Sequence, residues 1–213
     1  YYHVYARGNN RGDVFFEERN YRYFLELYAR HVFPVADTFA YCLMKNHFHV
    51  LVRIKTSRVS ENPRGLAETR EVSETREVSE TREVSETREV LTPREVSQAF
   101  SNLLNAYAKA INKAYGHTGS LFEERFGRIE VTSDAYFCHL VFYIHFNPQK
   151  HGFVDNFREW PWSSYGSLCS QAATRLARAQ TLEWFGGVRG LEQFHGAQVD
   201  EARIRALVED DFA

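Results

Sequence analysis

The chain has 213 residues, 44% hydrophobic, 15% aromatic and 25% charged, enough apolar mass for one well-buried domain and too ordinary a charge content for wholesale disorder. Its formal net charge of −2 argues, over the whole chain, against a nucleic-acid binder. Cys42, Cys138 and Cys169 are far apart with no C-x-x-C pair, so neither a disulfide framework nor a zinc knuckle fits and a reducing, cytoplasmic setting is expected. No apolar run reaches the roughly 18 residues of a membrane helix.

The opening YYHVYARG alternates like a strand and lacks the layout of a signal peptide; a start at Tyr suggests a trimmed natural terminus. Tyr1–Ala6 is thus a predicted strand and Arg7–Gly12 a polar turn. Phe15–Phe33 is a predicted amphipathic helix, with Tyr21, Phe24, Leu25, Tyr28 and Val32 on one face, ended by Pro34. Two strands, Val35–Leu43 and His47–Ile54, follow, joined by the hairpin-length link Met44-Lys45-Asn46.

Residues 68–90 then repeat the hexad ETREVS. A six-residue period builds no apolar stripe on a helix, so 56–91 reads as an expanded, solvated loop, disordered or marginally helical. Thr92-Pro93-Arg94-Glu95 is a capping box with Pro at the first helical position. The helix it opens carries Val96, Phe100, Leu103, Leu104, Tyr107 and Ile111 on one face and is stopped by Gly116. Arg125–Thr132 is a fourth strand. Ser133 or Asp134 caps a helix running to Asn147, ahead of Pro148. A Trp-rich loop and a polar, helix-prone tail complete the chain. The order β-α-β-β-α-β-α suits an α+β fold with helices on one face of an antiparallel sheet, close to the split ferredoxin-like arrangement.

The period of two along the third strand puts His47, His49, Leu51 and Arg53 on one face and Phe48, Val50, Val52 and Ile54 on the other. The imidazoles then stand roughly 7 Å apart at Cα and can converge on one divalent ion, although surface and core histidines also fall at this spacing by chance. His3 and His31 look isolated, and His117 and His195 lie in loops or the tail. On the last long helix Tyr143 and Asn147 stack one turn apart. An amide oxygen at Asn147 can complete a metal shell, and a Tyr143 phenol can reach a phosphate held there. A tyrosine at a core edge and an asparagine ending a helix is the plainer alternative.

Several segments together resemble the REP-associated tyrosine transposases, a branch of the single-tyrosine HUH transposase superfamily. They are Tyr2-His3-Val4 with Ala6-Arg7-Gly8-Asn9, Met44-Lys45-Asn46-His47-Phe48-His49-Val50-Leu51, Gly119-Ser120-Leu121-Phe122 with Arg125-Phe126, and Tyr143-Ile144-His145-Phe146-Asn147-Pro148. The later Trp160-Pro161-Trp162-Ser163-Ser164-Tyr165 is similar as well. The match spans roughly 1–167, and the hexads depart from the family's normally short insertion.

The resemblance implies an HUH nuclease fold with an RRM-like palm: a catalytic domain over 1–152, interrupted at about 56–91, and a C-terminal extension over 153–213. It implies Mg2+ or Mn2+ held by His47, His49 and Asn147, with Tyr143 as the nucleophile. The activity implied is cleavage and strand transfer of single-stranded, hairpin-forming repeat DNA through a covalent 5′-phosphotyrosine, by a monomer rather than a homodimer. A non-cleaving hairpin binder and an unrelated metal-dependent phosphoesterase are the competing readings. No strong general base for Tyr143 is evident in the sequence; a metal-bound water, or the nearby His145 or His139, are the candidates.

Arg7, Lys45, Asn46, Arg53, Arg125, Arg128 and Lys150 lie on or beside these segments and are candidates for binding DNA phosphates, or else solvated surface groups. The charge divides accordingly. The hexads at 68–90 carry −4 and the tail 195–213 carries −3, so the remainder is +5, mildly basic and compatible with single-stranded DNA.

Overall fold

The structure, a computed structural model, describes residues 1–60 and 87–197. Four antiparallel strands, β1 (Tyr2–Arg7), β2 (Ala36–Met44), β3 (His47–Ile54) and β6 (Gly127–Glu130), form a sheet in the order β2-β3-β1-β6. On one face lie α1 (Glu18–His31) and α2 (Pro93–Tyr115), on the other α3 (Asp134–Lys150) and the short helices α4 (Tyr165–Cys169), α5 (Arg178–Glu183) and α6 (Val188–Gly196).

Helices therefore cover both faces, where the sequence pattern suggested one. The reason lies in the second face of the strands. Phe48, Val50 and Val52 pack with Val4 and Ala6 against Phe24, Tyr28, Leu103 and Tyr107 of α1 and α2. Leu51, with Phe39, Cys42 and Met44 of β2, is equally buried against Phe137, Leu140, Val141 and Ile144 of α3. Strands apolar on both faces need two covering layers.

β2 crosses between these cores by a bulge. Thr38 is opposite Val52 and Ala40 opposite Leu51, which leaves Phe39 as the extra residue and reverses the alternation beyond it. Ala36 thus packs with the α1/α2 core, as does Leu43 beyond the bulge, while Phe39 turns to the α3 core, edge-on to Phe137 at 5.6 Å between ring centroids.

The helix ends follow local chemistry. The Thr92 hydroxyl accepts from the Glu95 N–H while the Glu95 carboxylate accepts from the Thr92 N–H, closing the capping box of α2. Gly116, at φ 63° and ψ 23°, ends that helix in the left-handed region that glycine enters without strain. The Ser133 hydroxyl caps α3 by accepting from the Tyr136 N–H.

Pro148 does not end α3, which runs one turn beyond Asn147 to Lys150. The missing proline N–H and the ring disfavour such continuation, but Asn147 and Pro148 are both buried on α3. There tertiary packing outweighs the local preference.

At the insertion, Leu91 N–H donates to Thr56 O at 3.0 Å. Beyond that pair β4 (Ser57–Ser60) and β5 (Thr87–Val90) form an antiparallel two-stranded ladder. The last residues of the hexad array are thus strand rather than disordered or helical: where the two ends of the insertion leave the body side by side, their backbones pair. The rest of the array, at 68–86, lies outside the described residues.

The C-terminal extension adds to the free edge of β2. Leu43 N–H donates to Trp162 O, Ser164 N–H to Tyr41 O, and Tyr41 N–H to Ser164 Oγ, each at 2.9 Å. The Trp160 indole N–H reaches Leu43 O at 2.9 Å, and Ala177 N–H reaches Thr38 O at 2.9 Å. An edge that would otherwise present unpaired backbone is covered.

Candidate functional site

β3 projects His47 and His49 toward α3, as its period of two requires, and both rings are buried. Their centroids are 5.1 Å apart and perpendicular. Across from them α3 presents Tyr143, whose ring is 5.5 Å from His49, edge-on. Tyr143 is only 2% exposed, and the Lys150 ammonium lies 5.2 Å from its ring centroid, within cation–π range. The structure thus brings together His47, His49, Tyr143 and Lys150, drawn from segments nearly a hundred residues apart.

Each imidazole has its Nδ1 engaged by the protein. His47 Nδ1–H donates to Asn46 Oδ1 at 2.6 Å, which makes Nε2 the lone-pair nitrogen of that neutral ring. The Asn46 amide is oriented by its Nδ2–H, which reaches Arg11 O at 3.4 Å. His49 Nδ1 shares a 2.9 Å hydrogen bond with His3 Nε2.

Burial, reinforced by the charges of His151 and Arg7, pulls the His47 pKa down to about 3. Burial first, then His3, His47, His151 and Arg7, holds His49 well below its ordinary value. Both rings are therefore neutral at pH 7, the form that ligates a metal.

Asn147, fully buried on α3, spends its Nδ2–H on Tyr143 O at 2.9 Å. Its Oδ1 is a buried acceptor with no hydrogen bond among the described residues. An acceptor so placed is destabilising unless something electropositive meets it. Two neutral imidazoles and an amide oxygen are a donor set that suits a divalent cation such as Mg2+ or Mn2+ when phosphate oxygens complete the shell. Among the described residues no three His, Cys, Asp or Glu side chains form a metal-holding group; the set here is two histidines and an asparagine.

Three further neighbours, His3, Tyr5 and His151, join the site through the tertiary structure. His3, seemingly isolated, lies on β1 in register with Leu51, diagonal to His49, where strand pairing delivers it. Tyr5 is directly opposite His49, with ring centroids 5.9 Å apart. Its ring lies over Gly127 of β6, where a Cβ would come within 2.0 Å of Tyr5 Cζ.

His151 is 5.2 Å from His47 between ring centroids. Its pKa is lowered by burial and by Lys150 and Arg7. The spacing Tyr143, Asn147, His151, at i, i+4 and i+8, was a signal for it, but only if the helix persists through Pro148.

The basic candidates divide into groups. Arg7 is paired with His47 in the β1–β3 register and its charge acts on both histidines, Asn46 is bonded to His47, Lys150 lies over Tyr143, and Lys45 is in the adjacent turn between β2 and β3. Arg125 and Arg128 line a groove of about 670 Å3 between α2 and the 119–126 loop, on the α2 side, where Arg128 donates to Ser97 Oγ at 3.2 Å.

Arg53 is at the far end of β3, about 20 Å from His47 by strand rise. It is ion-paired to Asp37 at 2.8 Å and bonded to Gln180 at 3.1 Å. His145 is turned away from Tyr143 and bonded to His195 and Ser164, and His139 packs by Phe194 of α6. Both His145 ring nitrogens are thus engaged on the side away from Tyr143.

This is an α+β fold, a four-stranded antiparallel sheet between two helical layers, with a histidine pair on a central strand facing a helix that bears tyrosine and asparagine. In its fold the chain matches the solved structure of the REP-associated tyrosine transposase bound to a REP hairpin, with a TM-score of 0.52 over 80% of this chain and 79% of that one. The sequence identity is 13%, so the likeness is one of fold. No family model and no curated protein matches the sequence. Among the described residues no helix is long and apolar enough to cross a membrane.

Proposed function

We propose that the protein is a metal-dependent single-strand DNA endonuclease and strand transferase acting on hairpin-forming repeat DNA. The observation that carries this reading is the meeting of His47 and His49 with Tyr143 on the facing helix, in a fold shared with a transposase solved on a DNA hairpin. His47, His49 and Asn147 are the residues that would hold Mg2+ or Mn2+. When bound, the ion supplies Lewis-acid polarisation of the scissile phosphate and offsets charge in the transition state.

Tyr143 supplies the nucleophile. Its oxygen bonds to phosphorus, the phenol proton is given up, and the 3′ oxygen leaves and is protonated, which yields a 5′-phosphotyrosine and a free 3′-OH. One phosphodiester is exchanged for another, so attack by a second 3′-OH restores the DNA linkage and the phenol without ATP. Lys150, whose ammonium lies 5.2 Å from the Tyr143 ring centroid, is close enough to bind an oxygen of a phosphate held at the phenol. Arg7 and Lys45 extend that positive rim along the DNA backbone.

The test is incubation with labelled single-stranded hairpin oligonucleotides and Mn2+ or Mg2+. An SDS-stable protein–DNA adduct is expected, lost in Tyr143→Phe while hairpin binding persists. Hydrolysis without adduct, or hairpin binding without cleavage across a panel of repeats, refutes this reading.

A further inference from the structure

On the reading of His47 and His49 as metal ligands, we infer that His3 is a positioning residue which fixes the tautomer and orientation of His49. His3 is completely buried. It sits on β1 opposite Leu51, two positions along from the Tyr5–His49 pair, a diagonal that long side chains span.

Its ring lies 25° from the plane of His49 with centroids 5.0 Å apart, and His3 Nε2 is 2.9 Å from His49 Nδ1. Both rings also meet Tyr143 edge-on, His3 at 6.4 Å and His49 at 5.5 Å, so the three form a triangle at the centre of the site. A polar ring in a fully buried slot on an otherwise well-packed sheet is unfavourable unless it makes a bond that matters. One bond it makes is to a candidate ligand.

The direction of that bond decides what His49 can do. If His49 Nδ1–H donates to His3 Nε2, the lone pair of His49 is on Nε2 and the ring can ligate through it. With the opposite direction the Nε2 of neutral His49 carries hydrogen and cannot. His3 acting as acceptor therefore selects the ligating tautomer, and its near-coplanar ring restrains rotation of His49. This is the role an outer hydrogen-bond partner plays for a ligating histidine. Asn46 does the same for His47, so each member of the pair has its own orienting residue.

Long-range proton–nitrogen NMR of the metal-free protein reads the His49 tautomer directly and needs no variant. The expected result is a protonated Nδ1 and an unprotonated Nε2; a protonated Nε2 overturns the inference. Mn2+ titration followed by the EPR signal of the free ion gives the second readout. His3→Phe, which keeps a ring but has no acceptor, should weaken Mn2+ binding about 10- to 100-fold. His3→Gln, whose amide oxygen accepts from Nδ1–H, should restore it to within about threefold of wild type.

Wild-type affinity in His3→Phe overturns the positioning role while leaving the metal site standing. If wild type itself binds no Mn2+ on adding hairpin DNA, the metal-site reading fails and this inference with it.

Discussion

The C-terminal segment is fastened to the back of α3 by a buried chain of hydrogen bonds whose response to acid is calculable. His195 Nδ1–H donates to Leu191 O at 2.8 Å, His145 Nδ1–H to His195 Nε2 at 2.9 Å, and Ser164 Oγ–H to His145 Nε2 at 2.7 Å. Both imidazoles are neutral in this arrangement, since every lone pair and proton has its place.

Burial, with Arg158 reinforcing it and the Leu191 carbonyl opposing it, lowers His195 to about 4, against 6.5 for a free histidine. Below pH 6.5 the unfolded chain takes up a proton that the folded protein refuses. The stability from this group is therefore complete above pH 6.5 and is lost as pH falls toward 4. Between pH 7 and pH 5 the loss amounts to about 2 kcal/mol for His195 alone.

His195→Gln, with an amide oxygen to accept from His145, removes that titration without removing the acceptor. Urea melts of both proteins at steps from pH 7.5 to 4.5 should show the variant's stability falling less steeply, by about one proton's slope of 1.4 kcal/mol per pH unit between pH 6 and 5. Equal slopes would refute the argument that His195 is held neutral by burial.

Other consequences concern the site and its surroundings. Gly127→Ala places a Cβ 2.0 Å from Tyr5 Cζ. The ring must shift, and we expect a loss of about 1–3 kcal/mol in thermal melts together with changed Tyr5 and His49 NMR shifts; unchanged shifts would show that the ring yields freely. Lys150→Ala should weaken single-stranded DNA binding and reduce the slope of log K against log salt by about 1. Arg53→Ala, already committed to Asp37 and Gln180, should leave that slope as it is. Fluorescence anisotropy over a salt series separates the two, and a drop in slope for Arg53→Ala would place DNA along the whole of β3.

Much of this arrangement is a property of the sequence itself. The alternation along His47–Ile54 assigns both histidines to one face because successive side chains on a strand must point to opposite sides. Tyr143 and Asn147 stack because a helix returns every 3.6 residues. Thr92-Pro-Arg-Glu and Gly116 mark the limits of α2 through local hydrogen bonds and backbone freedom.

Other features depend on distant chain segments meeting, and no local rule contains them. The second covered face of the sheet, the bulge at Phe39 and the edge pairing of Trp162–Ser164 with β2 exist only once strands are in register. His3 becomes a partner of His49 through the pairing of β1 with β3, across 46 residues. The extra turn of α3 past Pro148, favoured by burial against local preference, carries Lys150 over Tyr143 and His151 to His47. Local chemistry thus determined which residues share a face, and tertiary packing decided which faces meet, because side-chain periodicity is set within an element while strand register and helix docking are set by the surface that two elements bury together.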